Sequence, residues 1–268
     1  MKRWIALLLA LAMVLGLTAC KKEEVEVLVG VAIPILCAVL EEGEQPPEEP
    51  LPPPPPEAEP IVEDTFTLAM VPAFTGQAYV PVNDNRPFFD PTGVPAESFE
   101  YYAPLDELGR CGITAACIGQ DIMPTEDRGE IGYVKPSGWQ SVKYPNVDGR
   151  YLYNRCHLIG FQLAGENANK GNLITGTRFL NIEGMLPFEN MVADYVKETG
   201  NHVLYRVTPI FFGTELVARG VLMEGWSVED QGESICFCVF AYNEQPGIII
   251  NYATGESWQL PEESPSKE

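Results

Sequence analysis

Three adjoining stretches between residues 153 and 181 decide how this chain is read. They are Tyr153-Asn154-Arg155-Cys156-His157-Leu158-Ile159-Gly160, Gly165-Glu166-Asn167-Ala168-Asn169-Lys170-Gly171-Asn172, and Leu173-Ile174-Thr175-Gly176-Thr177-Arg178-Phe179-Leu180-Asn181. The first follows an apolar, strand-like approach that starts at Gly149. The second is a loop rich in Gly and Asn. The third runs into the best helical segment, residues 179–199, which ends at Gly200 as helices often do. Gly184 and Pro187 interrupt that helix and leave its start open: a short helix before a longer one from near Pro187 is the expected form.

Outward from this centre the pattern is that of strands. Residues 203–212 alternate and are rich in β-branched and aromatic types, and residues 217–224, 235–242 and 248–252 read the same way. Upstream, residues 66–71 and 78–82 read as strands around a Gly76 turn, 105–120 as an irregular strand and 131–134 as a further one. Many strands with one or two central helices predict an α+β domain with a mostly antiparallel sheet core.

The chain has two histidines, so a hydrolase needing a neutral-pH general base has few candidates. His202 follows Gly200-Asn201 at a turn and reads as a surface residue. His157 sits on a strand, before a loop and a helix that starts with an Asn. That is the layout of a one-metal phosphodiesterase site, where the metal takes oxygen ligands and keeps positions open for water and phosphate.

Here the sequence resembles the DNA/RNA non-specific endonucleases of the ββα-metal (His-Me finger) type, and within them the streptococcal DNA-entry and secreted nucleases. The family motif Asp-Arg-Gly-His, with Asn common in first place, is matched by Asn154-Arg155-Cys156-His157. Asn172-Leu173-Ile174-Thr175-Gly176-Thr177, Asn181, Phe188-Glu189 and Tyr205-Arg206-Val207-Thr208 follow in order. The resemblance implies His157 as the general base and Asn181 as the protein ligand of one Mg²⁺, or Mn²⁺. It implies Glu189 as support for the metal's water shell, and Arg155 and Arg206 as phosphate or site-support groups. Asn154 belongs to the motif, and Asn172 orders the loop rather than binding metal. The products would carry 5′-phosphate ends. Cys156 departs from the Gly of the pattern. Gly there permits a backbone shape or close approach that a side chain obstructs, whereas Cys on an extended strand simply packs. A Cys156–His157 nucleophilic pair is rejected, because neighbours on a strand point to opposite faces.

Composition limits the reading further. The chain has 268 residues with 17 Lys+Arg against 38 Asp+Glu, a net charge of −21, which excludes a polyanion binder working by bulk charge. Residues 65–268 still hold 13 basic and 26 acidic side chains, but between Lys143 and Arg206 the balance is seven to six. Polyanion contact is expected there alone.

The N-terminus reads as an address. Met1-Lys2-Arg3, an apolar run and Leu17-Thr18-Ala19-Cys20 describe a secretory signal and resemble a bacterial lipobox, implying cleavage before Cys20 and lipidation of its sulfur. The expected organisation is a lipoprotein signal peptide (1–19), an acidic Pro-rich tether (20–64), the nuclease domain (65–260) and an acidic tail (261–268). Nine prolines between Pro46 and Pro60 favour an extended polyproline spacer, with a ligand for a proline-recognition module as the alternative. No other apolar run approaches the ~20 residues of a membrane-spanning helix. Of seven cysteines, Cys111 and Cys117 are placed to bridge, Cys236 and Cys238 favour partners elsewhere, and the spacings do not suit zinc.

The expected function is therefore a surface-tethered, Mg²⁺-dependent, sequence-nonspecific endonuclease acting on DNA, with RNA left open as a second substrate, held to a membrane by a lipid anchor and with no protein partner. The rival is a nuclease fold without activity that binds nucleic acid or a protein at the cell surface; Cys156 and the acidity of the domain motivate it.

Overall fold

The computed structural model describes residues 66–261. The signal peptide, Cys20, the tether, Cys37 and residues 262–268 of the expected tail lie outside the described residues. Six strands form one antiparallel sheet: β1 (Tyr79–Pro81), β2 (Phe99–Tyr102), β3 (Thr114–Ile118), β6 (Val203–Ile210), β7 (Gly220–Ser227) and β8 (Cys236–Tyr242), in the order β1-β8-β7-β6-β3-β2. Two hairpins stand apart from it, β4 (Tyr153–His157) with β5 (Leu173–Thr177), and β9 (Ile248–Ile250) with β10 (Ser257–Gln259). A one-turn helix α1 (Phe161–Ala164) follows β4. After β5 a π-helical turn (Leu180–Met185) runs directly into α2 (Leu186–Thr199).

The two-residue period of the central strands sorts their side chains onto two faces. Val203, Tyr205 and Val207 of β6, Val221 and Met223 of β7, and Phe237, Val239 and Ala241 of β8 share a buried core with Phe188, Val192, Ala193 and Val196 of α2. The alternate residues Leu222, Cys238, Phe240 and Tyr242 form a second core on the other face, covered by Phe66, Leu68, Val71, Phe74 and Phe88. A third, smaller core gathers Val147, Leu152, Tyr153, Val217, Ile248 and Tyr252 beneath the β4–β5 hairpin.

Local chemistry explains the interrupted helix. Thr177 Oγ1 accepts the Leu180 N–H at 2.9 Å and starts the turn. Pro187 falls in the first turn of α2, at the junction with the π-helical turn, where its fixed φ suits the start of a helix. Gly200 closes α2 at φ +74°, its N–H donating to the Val196 carbonyl at 3.0 Å.

Several expectations change. Residues 66–71 are not a strand; a 3₁₀ turn at Leu68–Met70 lets their apolar side chains cover the sheet. Residues 131–134 are a turn, with the Val134 N–H donating to the Ile131 carbonyl at 3.0 Å. The edge strands β2 and β10 lack a strong pattern and were not anticipated. All five described cysteines are free thiols, so Cys111 and Cys117 do not bridge; the Cys111 sulfur donates to the Lys170 and Leu173 carbonyls, both at 3.2 Å.

Candidate active site

The β4–β5 ladder sets Arg155 opposite Thr175, Cys156 opposite Ile174 and His157 opposite Leu173. Beyond His157 the chain turns away, and Asn172 fixes that turn from inside. Its Oδ1 accepts the Ile159 N–H at 2.8 Å and its Nδ2 donates to the Ile159 carbonyl at 2.9 Å. Asn172 is fully buried, so these bonds replace water that the loop cannot reach.

His157 is buried at the wall of a cleft of about 700 Å³. One ring nitrogen, Nε2, lies 2.8 Å from the Asn167 carbonyl, which can only accept, so Nε2 carries the proton. Nδ1 is then the lone-pair nitrogen, and it accepts from Arg128 Nη2 at 3.1 Å. Burial lowers the His157 pKa to about 4; the Asn167 carbonyl pulls the other way and the Arg128 charge adds to the fall. The imidazole is thus neutral at ordinary pH, with the nitrogen a base would use held on the Arg128 side.

Asn154, Arg155, Asn181 and Glu189 line the same cleft. Asn181 comes from the π-helical turn and Glu189 from the first turn of α2. Burial raises the Glu189 carboxyl to about 7. Gly160 makes room for it, since a Cβ there would lie 2.7 Å from the carboxylate carbon and from Oε2. Arg155 spends donors on its own loop: Nε to the Val134 carbonyl at 2.5 Å and Nη2 to the Gly132 carbonyl at 2.6 Å, with its guanidinium 3.9 Å from the Trp139 ring centroid. It therefore positions the 131–139 segment at the rim of the cleft.

Three of the motif residues lie outside the cleft, and of these only Arg206 was expected to reach phosphate or support the site. Asn172 is one layer behind. Cys156 is fully buried on the core side of β4, where its sulfur sits against Gly176 at the place a Cβ would take. Arg206 points to the opposite face of the main sheet from α2. Its Nε and Nη2 donate to Glu224 at 2.6 and 2.8 Å, and Glu224 Oε1 also accepts the Phe88 N–H at 2.7 Å. The reason is the period of two: Tyr205 and Val207 face α2, so Arg206 cannot. His202 holds a turn through Glu229 at 2.7 Å, as expected of a surface histidine.

The sequence reading missed Arg128, which makes the closest polar approach to His157 Nδ1. Its only signal was a lone cation in the acidic run Glu126-Asp127-Arg128-Gly129-Glu130. Arg178, at the end of β5, also lines the cleft and pairs with Asp148 at 2.8 Å.

The donor set suits a hard cation. The Asn181 amide oxygen and the Glu189 carboxylate are the oxygen ligands that Mg²⁺ and Mn²⁺ take. The Asn154 Nδ2 group is buried without a partner, a free donor for a water or phosphate oxygen. Among the described residues no group of three or more His, Cys, Asp or Glu side chains converges as a metal cage, so a cation here would draw most of its coordination from water.

A neutral imidazole set among guanidinium groups and oxygen ligands suits hydrolysis of an anionic ester, and the hairpin-plus-helix scaffold is that of the ββα nucleases. The chain belongs to the DNA/RNA non-specific endonuclease family, whose model matches residues 93–228, half of its length. A deoxyribonuclease of Streptococcus dysgalactiae subsp. equisimilis is 33% identical over 110 residues, 39% of this chain and 32% of that enzyme. The match thus spans about a third of that relative's length. The NucA nuclease of Streptococcus agalactiae, solved with no metal bound, superposes with a TM-score of 0.59 at 25% identity over 67% of this chain and 86% of that one. NucA has also been solved with a magnesium ion. The Sda1 nuclease, solved with zinc bound, superposes with a TM-score of 0.56 at 26% identity over 68% of this chain and 97% of its own.

Proposed function

We propose that this chain is a metal-dependent, sequence-nonspecific endonuclease that hydrolyses phosphodiester bonds of DNA, with RNA as a second substrate. The observation that carries the reading is His157, neutral and pinned through Nε2–H so that Nδ1 is the nitrogen left to take a proton. In the reaction Nδ1 removes a proton from water as that water attacks phosphorus, the P–O3′ bond breaks, and the departing 3′ oxygen takes a proton from solvent. The resulting imidazolium keeps its Nε2–H on the Asn167 carbonyl, so the ring does not turn as it charges. Arg128 must release Nδ1 first, and an incoming phosphate supplies the reason, because a guanidinium grips an anionic oxygen more strongly than an imidazole.

Asn181 is the residue assigned to hold one Mg²⁺, or Mn²⁺, with Glu189 ordering its water. Such a cation, when bound, stabilises negative charge on the phosphoryl group and on the leaving 3′ oxygen. The raised pKa of Glu189 fits this role: a cation beside it would favour the charged form. Arg155 supports the cleft wall, and the products end in 5′-phosphate.

The same proposal places the protein outside the cell. Residues 1–19 are its signal peptide, Cys20 is lipidated, 20–64 is a spacer, 65–260 is the nuclease and 261–268 is a tail. The lipobox-like Leu17-Thr18-Ala19-Cys20 supports this arrangement.

The test uses the full-length chain with plasmid DNA and with RNA, in Mg²⁺ and in chelator, beside His157→Ala. Cleavage that needs both the metal and His157 is the expected result; full activity in His157→Ala would overturn the mechanism. The rival, an inactive binding protein, predicts no cleavage by folded protein at any metal or pH. Of its two motives, Cys156 lies in the core and not in the cleft, and the acidity of the domain does not reach the segment from Lys143 to Arg206, so the catalytic reading is preferred.

A further inference from the structure

Residues 142–152 form an arm beside the cleft. Lys143 and Tyr151 face each other across an antiparallel bridge. The Tyr144 N–H donates to the Arg150 carbonyl at 2.8 Å and the Leu152 N–H to the Val142 carbonyl at 3.1 Å. The arm turns at Gly149 and Arg150, both left-handed at φ +65° and +69°. Val147 and Leu152 root it in the third core. This fixed arm sets Tyr151 on the cleft wall, where it is 49% exposed, the most open of the aromatic rings there. The Lys143 ammonium lies 4.2 Å from its ring centroid.

Lys143 sits over the ring, and about half of the Tyr151 surface is left open to the cleft, where a planar partner can stack. Resting on the nuclease reading above, we propose that Tyr151 stacks on a nucleobase beside the scissile phosphate, and that an unpaired strand is therefore the preferred substrate. A property of the duplex and two observations carry this. In a duplex each base face is covered by its neighbours, so the ring reaches one only after the base is unstacked. The cleft, at about 700 Å³, is the size that encloses a small molecule, and so takes a nucleotide or two. Residues 65–268 carry twice as many acidic as basic side chains, so bulk charge does not draw in a polyanion. Stacking is tolerant of sequence and compensates for that deficit, with Lys143 placing a cation at the stack.

The experiment compares kcat/KM for a labelled oligonucleotide, alone and annealed to its complement, for the full-length wild type, Tyr151→Phe, Tyr151→Leu and Tyr151→Ala. The wild type should favour the single strand. In Tyr151→Ala and Tyr151→Leu that preference should fall by about 5- to 150-fold, the worth of one base–aromatic stack, while Tyr151→Phe keeps it. A duplex-preferring wild type, or equal losses on both substrates, would overturn the proposal. If neither substrate is cut, the nuclease reading fails separately. Anisotropy of a labelled oligothymidylate in chelator then decides: weaker binding by Tyr151→Ala and Tyr151→Leu supports stacking, and an unchanged Kd refutes it.

Discussion

The pH dependence of catalysis follows from the surroundings of His157. An ordinary imidazole titrates near 6.5, and at pH 5 only about 3% of it is neutral. With a pKa of about 4, His157 would be about 90% neutral at the same pH. The acid limb of kcat/KM, which reports free-enzyme groups, should therefore lie well below 6. Arg128→Met removes the cation at Nδ1 and leaves burial in place. The limb should move up but stay under 6.5, since burial is the larger cause. The assay is oligonucleotide cleavage from pH 4 to 8 at saturating metal. NMR of the imidazole protons runs beside it, and two histidines with a His202→Gln control make assignment direct. A wild-type His157 that titrates at 6.5 or above would refute the reasoning from burial. A value unmoved in Arg128→Met would refute the part given to Arg128.

Other substitutions separate the site from its scaffold. Arg206→Met strands Glu224, which is 0% exposed, and should cost about 3–5 kcal/mol in urea unfolding while the turnover of folded protein stays near wild type; a catalytic loss without a stability loss would return Arg206 to the site. Gly160→Ala pushes on the Glu189 carboxylate from a non-strained backbone, so metal titration should show activity lowered tenfold or more with stability changed by about 1 kcal/mol. Asn172→Ala unties both bonds to Ile159 and should cost roughly 2–4 kcal/mol, lowering activity through the loop. Cys156→Gly empties a filled core position and should cost about 1–3 kcal/mol by denaturation, with no gain in activity.

What the sequence made legible follows from which signals are local. The strands β6 and β8 and the helix closed by Gly200 are local patterns, and the structure has them within a few residues. The motif placed Asn154, Arg155, His157, Asn181 and Glu189, and the structure brings those five to one cleft. Arg206 was misplaced because membership of a motif says nothing about which face of a strand a residue takes. The alternation around it, Tyr205 and Val207 apolar, carries that information. Arg128 was missed for a different reason: its loop has no periodicity, and its contact with His157 spans 29 residues. Residues 131–134 look like a strand by composition, but their carbonyls are held by Arg155 rather than by a neighbouring strand, a tertiary choice that propensity cannot register.

His157 and Glu189 also oppose each other in stability, and the opposition can be measured. His157 titrates lower in the folded chain than in the unfolded one. As pH falls from about 6.5 to about 4, the unfolded chain takes up a proton that the folded chain refuses, and stability is lost. Glu189 titrates higher when folded. As pH falls from about 7 to about 4.5, the folded chain takes up the proton first, and stability is gained. The two displacements are opposite in sign and of similar size, so in metal-free protein the two slopes oppose each other over a shared window. Each single variant should expose the other group. In chelator, Glu189→Gln should lose stability steadily as pH falls through that window. His157→Gln should gain it relative to the wild type, and the double variant should run parallel to the wild type again. Urea unfolding at half-unit steps from pH 4.5 to 7 gives the slopes. Parallel curves for both single variants would mean that neither group is displaced from its ordinary pKa, and that the cleft is far better hydrated than its packing implies.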